Sequence, residues 1–311
     1  MVCLEYICIM QIAIKTENLN FSFSGKRKVV DNVSLQVPQG GIFGFLGPNG
    51  AGKTTTMRLL TGSLISEKDN ISLLGKSLRN HTPRIFENIG TLVETPSLYL
   101  HLTGKENLKI ITTLRGLPSS GIDEFLKIVG LADSGKRKVN EYSLGMKQRL
   151  GIAMALLPQP GLLLLDEPVN GLDPNGMIEM RELLIRLNRE RGITIFISSH
   201  LLNEVERTCT DIGIIHKGQL RFQGKMADLE KSAGTAKEVI FKVTDASAIA
   251  QQLSNQYPAL KIIQHNQILF PFENESEVAT INRQLVESGV HVKGIHVNEG
   301  LEEWFMKIIS N

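Results

Sequence analysis

Residues 47–54 read Gly47-Pro48-Asn49-Gly50-Ala51-Gly52-Lys53-Thr54, which satisfies the pattern GxxxxGK[ST]. An apolar run, Gly41–Leu46, precedes this loop, and a stretch with helical spacing, Thr54–Thr61, follows it. A strand–loop–helix unit of this kind turns backbone N–H groups toward an anion at the positive end of the helix. The pattern predicts that Lys53 contacts the β- and γ-phosphates of a nucleotide, that Thr54 offers its hydroxyl to Mg²⁺ and that Thr55 reaches the α-phosphate.

A second motif reads Leu162-Leu163-Leu164-Leu165-Asp166-Glu167, an aliphatic strand that ends in two carboxylates. The carboxyl ends of parallel strands line the ligand crevice of a sheet, so we expect Asp166 to lie near the phosphates. Asp166 is predicted to hold Mg²⁺ through water, and Glu167 to orient or deprotonate the attacking water. The alternative is an acidic pair that only caps the segment before Pro168.

The hydrophobic pattern around these motifs predicts an α/β fold. Leu162–Leu165 and Ile193–Ile197 are continuous aliphatic runs, typical of parallel strands covered on both faces. Met177–Arg191 has helical spacing and lies between them. Gln11–Glu17 and Val33–Val37 alternate apolar and polar residues, which predicts two early strands.

Composition excludes several classes of protein. The 311 residues are 42% hydrophobic and 21% charged, with 34 basic against 32 acidic side chains. This balance indicates a globular chain of about two domains and argues against a strongly basic nucleic-acid-binding surface. The cysteines, Cys3, Cys8 and Cys209, form no CxxC motif, which argues against a disulfide framework or a cysteine-rich zinc site and favours a reducing compartment.

The sequence also argues against a membrane-spanning or secreted chain. No apolar stretch approaches the roughly 18–20 residues that a transmembrane helix needs. The apolar start at residues 1–14 lacks the basic region of a signal peptide, and Met10 is an alternative initiator.

Beyond residue 225 the alternation of strands and helices starts again. The pattern has the order β-α-β-β-α-β, which predicts a small α+β unit of ferredoxin-like type at 235–311. The predicted elements are Val239–Val243, Ala246–Asn255, Lys261–Gln264, Gln267–Pro271, Glu275–Ser288 and His291–Val297, followed by a helix at Leu301–Ile309.

Three further segments distinguish this chain from other proteins that carry the same two motifs. Tyr142-Ser143-Leu144-Gly145-Met146-Lys147-Gln148-Arg149-Leu150 resembles the signature motif of ATP-binding cassette (ABC) ATPases. Asn170-Gly171-Leu172-Asp173-Pro174 resembles their D-loop, and Ser198-Ser199-His200 resembles their switch histidine. The resemblance implies a P-loop NTPase fold of the ABC-ATPase type at 11–225, with a helical subdomain inserted at about 94–158.

The resemblance also implies roles for particular residues. Ser143 and the backbone N–H of Gly145 would face the γ-phosphate bound by a second cassette, near the start of a predicted helix at Met146–Leu157. Asp173 would lie at the same interface, and His200 would bond the γ-phosphate and the Glu167–water pair. Phe23 would stack on adenine, with Phe21 as the alternative ring.

The chain departs from the common family pattern at two places. Glu94 stands where most ABC ATPases carry a glutamine, which resembles the bacitracin-resistance and lantibiotic self-protection ATPases. A carboxylate there can ligate Mg²⁺ or orient water. The signature has Tyr142, Leu144 and Met146 in place of the commoner Leu, Gly and Gln. It keeps both hydrogen-bond donors, Ser143 and the backbone N–H of Gly145.

The resemblance implies an ATPase that uses ATP and Mg²⁺ and drives export of antimicrobial peptides. We expect a separate transmembrane permease, docked at the apolar segment Leu98–Leu102 unless that segment packs as a buried cluster. We also expect a second copy of the chain, no nucleic-acid partner and a location at the cytoplasmic face of the membrane. One alternative is a non-transport ABC ATPase that acts on ribosomes or DNA. Another is a nucleotide sensor without turnover.

Overall fold

The computed structural model describes residues 11–23, 28–68, 70–232, 237–253, 256–272 and 274–298, together with positions 305 and 308. The chain divides into two compact units, Met1–Met226 and Ala227–Asn311. Each unit has a hydrophobic core of its own.

The first unit contains strands and helices that alternate along most of its length. Its strands are β1 (Ile12–Thr16), β2 (Leu19–Phe21), β3 (Val30–Val33), β4 (Gln36–Pro38), β5 (Ile42–Leu46), β6 (Ile71–Leu73), β7 (Lys76–Ser77), β8 (Ile89–Leu92), β9 (Leu162–Asp166), β10 (Thr194–Ser199), β11 (Asp211–His216) and β12 (Gln219–Lys225). Its helices are α1 (Lys53–Leu60), α2 (Leu78–His81), α3 (Gly104–Leu114), α4 (Ile122–Ile128), α5 (Leu144–Leu156), α6 (Pro174–Arg191) and α7 (Leu202–Thr208). A further helix, α8 (Met226–Ser232), follows β12.

The central sheet has the strand order β12-β11-β5-β10-β9-β8. The pairs β8–β9, β9–β10, β10–β5 and β5–β11 are parallel, and β12 runs antiparallel to β11. Every residue of β5, β9 and β10 is buried, as the continuous aliphatic runs predict for strands covered on both faces. Because these three strands are parallel neighbours, their carboxyl ends meet at one edge of the sheet.

Aromatic rings fill the core on one face of this sheet. Phe196 on β10 stacks against Phe43 with ring centroids 5.5 Å apart, and it lies at the same centroid distance of 5.5 Å from Phe45. These large rings pack across β5 and β10, the paired strands that lead into the phosphate loop and toward His200.

The prediction of one strand over Val33–Val37 was wrong. The structure has two strands there, and they belong to different sheets: β3 pairs with β2, whereas β4 pairs with β1. The Thr16 hydroxyl accepts a hydrogen bond from the Leu35 N–H at 2.9 Å and donates to Val33 O at 2.9 Å. This buried threonine therefore hydrogen-bonds the backbone at the point where β3 ends and the chain turns toward β4.

Helices α3, α4 and α5 contact one another and form a helical insert between β8 and β9. Both α5 and α6 begin earlier than their apolar patterns predict because side chains cap them. The Ser143 hydroxyl accepts from the Met146 N–H at 3.2 Å, and Asp173 Oδ1 accepts from the Gly176 N–H at 2.9 Å. Pro174 then occupies the first turn of α6, where its fixed φ suits a helix.

The second unit has the predicted β-α-β-β-α-β order. Its elements are β13 (Lys237–Lys242), α9 (Ala246–Leu253), β14 (Lys261–Gln264), β15 (Gln267–Phe272), α10 (Glu275–Glu287) and β16 (Gly294–Asn298). The strand order is β14-β15-β13-β16 with every pair antiparallel, which is the predicted split-βαβ, ferredoxin-like arrangement. The last strand begins at Gly294 rather than His291, and the predicted helix at Leu301–Ile309 lies outside the described residues.

Among the residues that the structure describes, no helix is long and apolar enough to cross a bilayer.

Candidate functional site

The predicted phosphate loop connects β5 to α1, as its flanking pattern indicates. Gly50 and Gly52 adopt φ angles of +78° and +109°, which favour glycine. Gly47 is required for a different reason, because an added Cβ would lie 2.4 Å from the carbonyl oxygen of Ile215. The loop therefore keeps its compact shape only with these glycines.

Lys53 is buried at the start of α1, with 6% of its surface exposed. Its Nζ donates to the carbonyl oxygens of Gly47 at 2.7 Å and Pro48 at 3.3 Å. The same ammonium group lies 3.2 Å from Glu167 Oε1. A buried cation bonded to its own loop is held where an anion in that loop would meet it.

Asp166 and Glu167 follow each other at the carboxyl end of β9. Asp166 is buried and accepts a hydrogen bond from the Ser198 hydroxyl on the neighbouring strand β10. The Ser198 oxygen in turn accepts from the Glu167 N–H at 2.9 Å. Since Ser198 is in register with Asp166, this one hydroxyl bonds both acidic residues.

Glu167 lies between a cation and an imidazole. One carboxylate oxygen faces Lys53, and Oε2 lies 2.9 Å from His200 Nδ1. The φ of Glu167 is +48°, an uncommon backbone conformation for a residue with a side chain. Backbone strain of this kind clusters at functional sites, where the surrounding contacts hold it.

A cavity of about 330 Å³ lies beside these groups. Its lining combines residues of the phosphate loop and α1 with the Glu167–His200 pair, and consists of Val29, Asn49, Gly50, Gly52, Lys53, Thr54, Thr55, Glu167, Asn170 and His200. The cavity therefore offers backbone N–H groups, hydroxyls and a cation to a phosphate chain, with a carboxylate and an imidazole at the same wall.

The donor set near this cavity suits a magnesium ion held together with nucleotide phosphates. Among residues of the described ranges, no three His, Cys, Asp or Glu side chains cluster as a metal site would require. Thr54 and Asp166 instead supply one hydroxyl and one buried carboxylate. Mg²⁺ commonly takes one or two protein oxygens, completing its shell with water and substrate phosphates, so these residues fit it.

The signature residues line a second cavity of about 400 Å³ that shares no lining residue with the first. Ser143 and Gly145 line it at the start of α5, and Asp173 lines it at the start of α6. Leu144, which replaces a common glycine, is 44% exposed there. The structure thus gathers Ser143, Gly145 and Asp173 but does not bring them to the phosphate loop of the same chain.

Phe23 and Phe21 differ in exposure, which bears on the choice between them. Phe21 packs partly against the core, whereas Phe23 is 61% exposed and meets Phe21 edge-on with centroids 5.0 Å apart. The ring of Phe23 is the one available to a ligand. Its contact with adenine stays a prediction.

Glu94 does not line the phosphate cavity. It is 52% exposed, and its carboxylate pairs with the guanidinium of Arg58 on α1. The predicted roles of Glu94 toward nucleotide and Mg²⁺ stay predictions.

Tyr142 replaces the leucine that is commoner at this position of the signature, and its contacts within the helical insert explain the replacement. The ring is buried, and its hydroxyl donates to Ser134 O at 2.6 Å. Burial raises the pKa of this phenol above its ordinary value. An added Cβ at Gly104 would lie 2.4 Å from the Tyr142 hydroxyl, so the small residue at the start of α3 makes room for the ring.

The apolar segment Leu98–Leu102 forms a fixed loop rather than a fully buried cluster. Tyr99 and Leu100 are 50% and 49% exposed. Asn107, which is 1% exposed, accepts from the Tyr99 N–H at 2.9 Å and donates to Tyr99 O at 3.1 Å and Thr103 O at 2.9 Å. A buried amide thus holds the backbone while two apolar side chains face outward.

The sequence and fold of this chain match known proteins. Residues 30–170 match the family described as ABC transporter. Over 304 residues the chain is 39% identical to the bacitracin transport ATP-binding protein BcrA of Enterococcus faecalis, covering 97% of this chain and 98% of that protein. The chain belongs to the ATP-binding proteins of ABC transporters.

Two further comparisons cover about two thirds of the chain. This ABC ATP-binding protein is 44% identical over 207 residues to the lantibiotic transport ATP-binding protein SrtF of Streptococcus pyogenes, covering 67% of the chain and 88% of SrtF. It also matches the crystal structure of the ADP conformation of MJ1267, an ATP-binding cassette of an ABC transporter. That match has a TM-score of 0.64 at 25% identity and covers 70% of this chain and 94% of that one. The predicted family and fold class are confirmed.

Sequence reasoning missed three residues of this ABC protein. Ser198 appeared only as part of the histidine motif, although its register with Asp166 makes it the group that bonds both acids. Asn170 lines the phosphate cavity, and Arg58 pairs with Glu94. The signal for Ser198 was a hydroxyl that directly follows the predicted strand Ile193–Ile197 and precedes the motif histidine by two residues. Arg58 carried no comparable signal, because its partner lies 36 positions away.

Proposed function

We propose that this ABC ATP-binding protein powers the export of bacitracin-type peptide antibiotics. The observation that carries the proposal is the extent of the likeness to BcrA, which covers 97% of the chain, whereas the likeness to SrtF covers 67%. The BcrA alignment therefore includes the second unit as well as the cassette. We assign residues 11–225 to the nucleotide-binding domain, with a helical insert at about 94–158, and residues 235–311 to an accessory domain.

We infer that the phosphate loop holds the triphosphate of ATP. Backbone N–H groups of Asn49, Gly50 and Gly52, which line the first cavity, bind the phosphate oxygens. Lys53 neutralises the β- and γ-phosphates and Thr55 contacts the α-phosphate. Phe23 stacks on adenine. The lining of the first cavity supports this assignment, because it brings the lysine and the hydroxyls to one wall.

Glu167 and His200 are assigned to the hydrolytic step. The Glu167 carboxylate orients the attacking water and accepts its proton, while His200 positions that carboxylate through Nδ1. When both ring nitrogens carry a proton, Nε2 can also donate to the γ-phosphate. Their contact at 2.9 Å supports the pairing. Lys53 and Glu167 line the same cavity with Nζ 3.2 Å from Oε1, so the phosphate-binding cation and the proposed base lie side by side.

Thr54 and Asp166 are the proposed ligands of Mg²⁺, with Glu94 as a third oxygen donor. The ion, when bound, neutralises the charge that develops on the phosphates. Ser198 keeps the Asp166 carboxylate oriented from the neighbouring strand. Asp166 is buried and Ser198 donates to it, so this carboxylate is held ready for an ion rather than free in solvent.

A second copy of the chain completes the site. Ser143, Gly145 and Asp173 line a cavity separate from the phosphate loop, so they need a partner cassette to contact the γ-phosphate. We propose a head-to-tail homodimer, in which the start of α5 supplies N–H and hydroxyl donors to the partner's nucleotide.

The partner in the membrane is proposed to be a separate permease that docks on Tyr99 and Leu100. Half-exposed apolar side chains on a loop fixed by Asn107 are suited to packing against another protein. The chain would then lie at the cytoplasmic face of the membrane, held there by its permease.

A resistance assay tests the proposal. The chain is expressed together with its candidate permease in a bacitracin-sensitive host. The minimal inhibitory concentration of bacitracin is then compared with that for a Glu167→Gln variant. We expect resistance only with the unchanged chain. Equal resistance with the unchanged chain and the variant would contradict an ATP-driven export function. The same assay with a lantibiotic in place of bacitracin distinguishes the two peptide classes.

A further inference from the structure

The contact between Arg58 and Glu94 joins two parts of the cassette that the proposed function treats separately. Arg58 lies in the last turn of α1, the helix that begins with Lys53. Glu94 follows β8, where the chain leaves the central sheet for the helical insert. Their side chains form an ion pair, with 38% and 52% of each side chain exposed.

The position of Glu94 brings its backbone to the nucleotide edge of the sheet. Leu92 on β8 is in register with Leu165 on β9, one residue before Asp166. Glu94 therefore follows β8 at the level where Asp166 and Glu167 follow β9. Its φ of +64° is uncommon for a residue with a side chain, so the surrounding contacts must stabilise this conformation.

The position of Arg58 on α1 explains why it can compete with a ligand for this carboxylate. Arg58 comes four residues after Thr54, so both side chains lie on the same face of the helix. Thr54 lines the phosphate cavity, whereas neither Arg58 nor Glu94 does. The guanidinium thus holds Glu94 on the Thr54 face of α1 but outside the cavity.

We propose that Arg58 is a positioning residue that holds the Glu94 carboxylate outside the phosphate cavity and competes for it with magnesium nucleotide. The inference rests on the proposed function, in which Glu94 faces Mg²⁺ and ATP. Glu94 then has two alternative partners, the Arg58 guanidinium or the magnesium nucleotide.

The size of the effect follows from the exposure of the pair. Ion pairs exposed to this degree shift an equilibrium by about two- to fivefold. Nucleotide binding that must first break the pair is weakened by the same factor. Removal of Arg58 should therefore tighten binding of magnesium nucleotide by about two- to fivefold, and only while Glu94 is present.

A double-mutant cycle on nucleotide affinity tests the proposal. The dissociation constant of a non-hydrolysable ATP analogue with Mg²⁺ is measured by calorimetry for the unchanged chain, Arg58→Ala, Glu94→Gln and the double variant. We expect tighter binding in Arg58→Ala, no further change when Arg58→Ala is added to Glu94→Gln, and near-original affinity in Arg58→Lys. With EDTA in place of Mg²⁺ the tightening should disappear.

A matched control is Lys15→Ala, which breaks the exposed pair between Lys15 on β1 and Glu17 just after it. Neither residue lines a cavity described above, so the affinity should stay unchanged. An unchanged or weaker affinity in Arg58→Ala would overturn the proposal. So would tightening that persists in the Glu94→Gln background or in EDTA. Absence of nucleotide binding by the unchanged chain would instead contradict the proposed function, so the two failures are distinct.

Discussion

The Ser198 hydroxyl donates a hydrogen bond to the Asp166 carboxylate across the parallel strands β10 and β9. The same oxygen accepts the Glu167 N–H at 2.9 Å, so one side chain aligns the proposed metal ligand and the residue proposed to activate water. Both acids stand at the end of a strand whose other residues are aliphatic and buried. Their orientation therefore depends on a neighbouring strand rather than on their own segment.

Replacement of Ser198 by alanine should impair both stability and activity. The change leaves the Glu167 N–H without its partner and removes a donor from a buried carboxylate, which costs about 1–3 kcal/mol in the free energy of unfolding. Urea denaturation and steady-state ATPase rates measure the two effects. Ser199→Ala is the matched control, because Ser199 is also buried but bonds the backbone of Leu201. Equal behaviour of the two variants would contradict the role of Ser198.

Glu167→Gln should abolish turnover while ATP binding remains. The amide keeps the size of the side chain but cannot accept a proton, and general-base catalysis contributes about 10²–10⁴-fold to a rate. Its loss of charge also removes the ion pair with Lys53, which frees the lysine for phosphate. Phosphate release and nucleotide binding are measured in parallel. Glu190→Gln, a change at an exposed residue near the end of α6, serves as the control. Undiminished turnover in Glu167→Gln would disprove the assignment.

His200→Ala should lower the ATPase rate by at least about tenfold, because Glu167 loses the imidazole that positions it. His200→Gln, which keeps a hydrogen-bonding group of similar reach, should retain more activity than the alanine variant. The ratio of the two rates at saturating ATP is the measurement. Identical rates for both variants and the unchanged chain would leave His200 as a structural residue only.

Asn107→Leu should loosen the proposed docking loop. The change leaves the Tyr99 N–H and the Tyr99 and Thr103 carbonyls without the buried amide, at a cost of about 1–3 kcal/mol. We expect a lower denaturation midpoint and less permease retained when the chain is purified from membranes. Asn140→Ala, at an exposed position whose backbone N–H bonds Leu100 O, is the control for a side-chain change near the same loop. Full retention of permease by the Asn107 variant would argue against docking at this loop.

The sequence predicted those features that depend on local pattern. The phosphate loop, the aliphatic strands β9 and β10 and the order of the second unit all follow from residues close together in the chain. The same logic failed at Val33–Val37, where alternation predicted one strand and the structure has two. A pattern of alternation carries no information on which partner each half will pair with.

The local sequence pattern could not predict contacts between segments that are distant in the chain. Ser198 and Asp166 are 32 positions apart and meet only because β9 and β10 are parallel neighbours in register. Asn107 is recognisable as important only once the loop before α3 is seen to pass over it. Helix starts erred by two or three residues because Ser143 and Asp173 cap α5 and α6 from outside the apolar pattern.

The most direct test of a site shared between two copies is complementation between two inactive variants. Lys53→Ala removes the phosphate-loop cation, and Ser143→Arg blocks the signature cavity, so neither should hydrolyse ATP alone. In a mixed dimer, the intact phosphate loop of one copy meets the intact signature of the other. When the two variants are mixed in equal amounts, about half of the dimers are mixed, and each mixed dimer has one complete site of two. The mixture should therefore recover about a quarter of the original rate. A mixture as inactive as its components would contradict the shared site, as would substantial activity of Ser143→Arg alone.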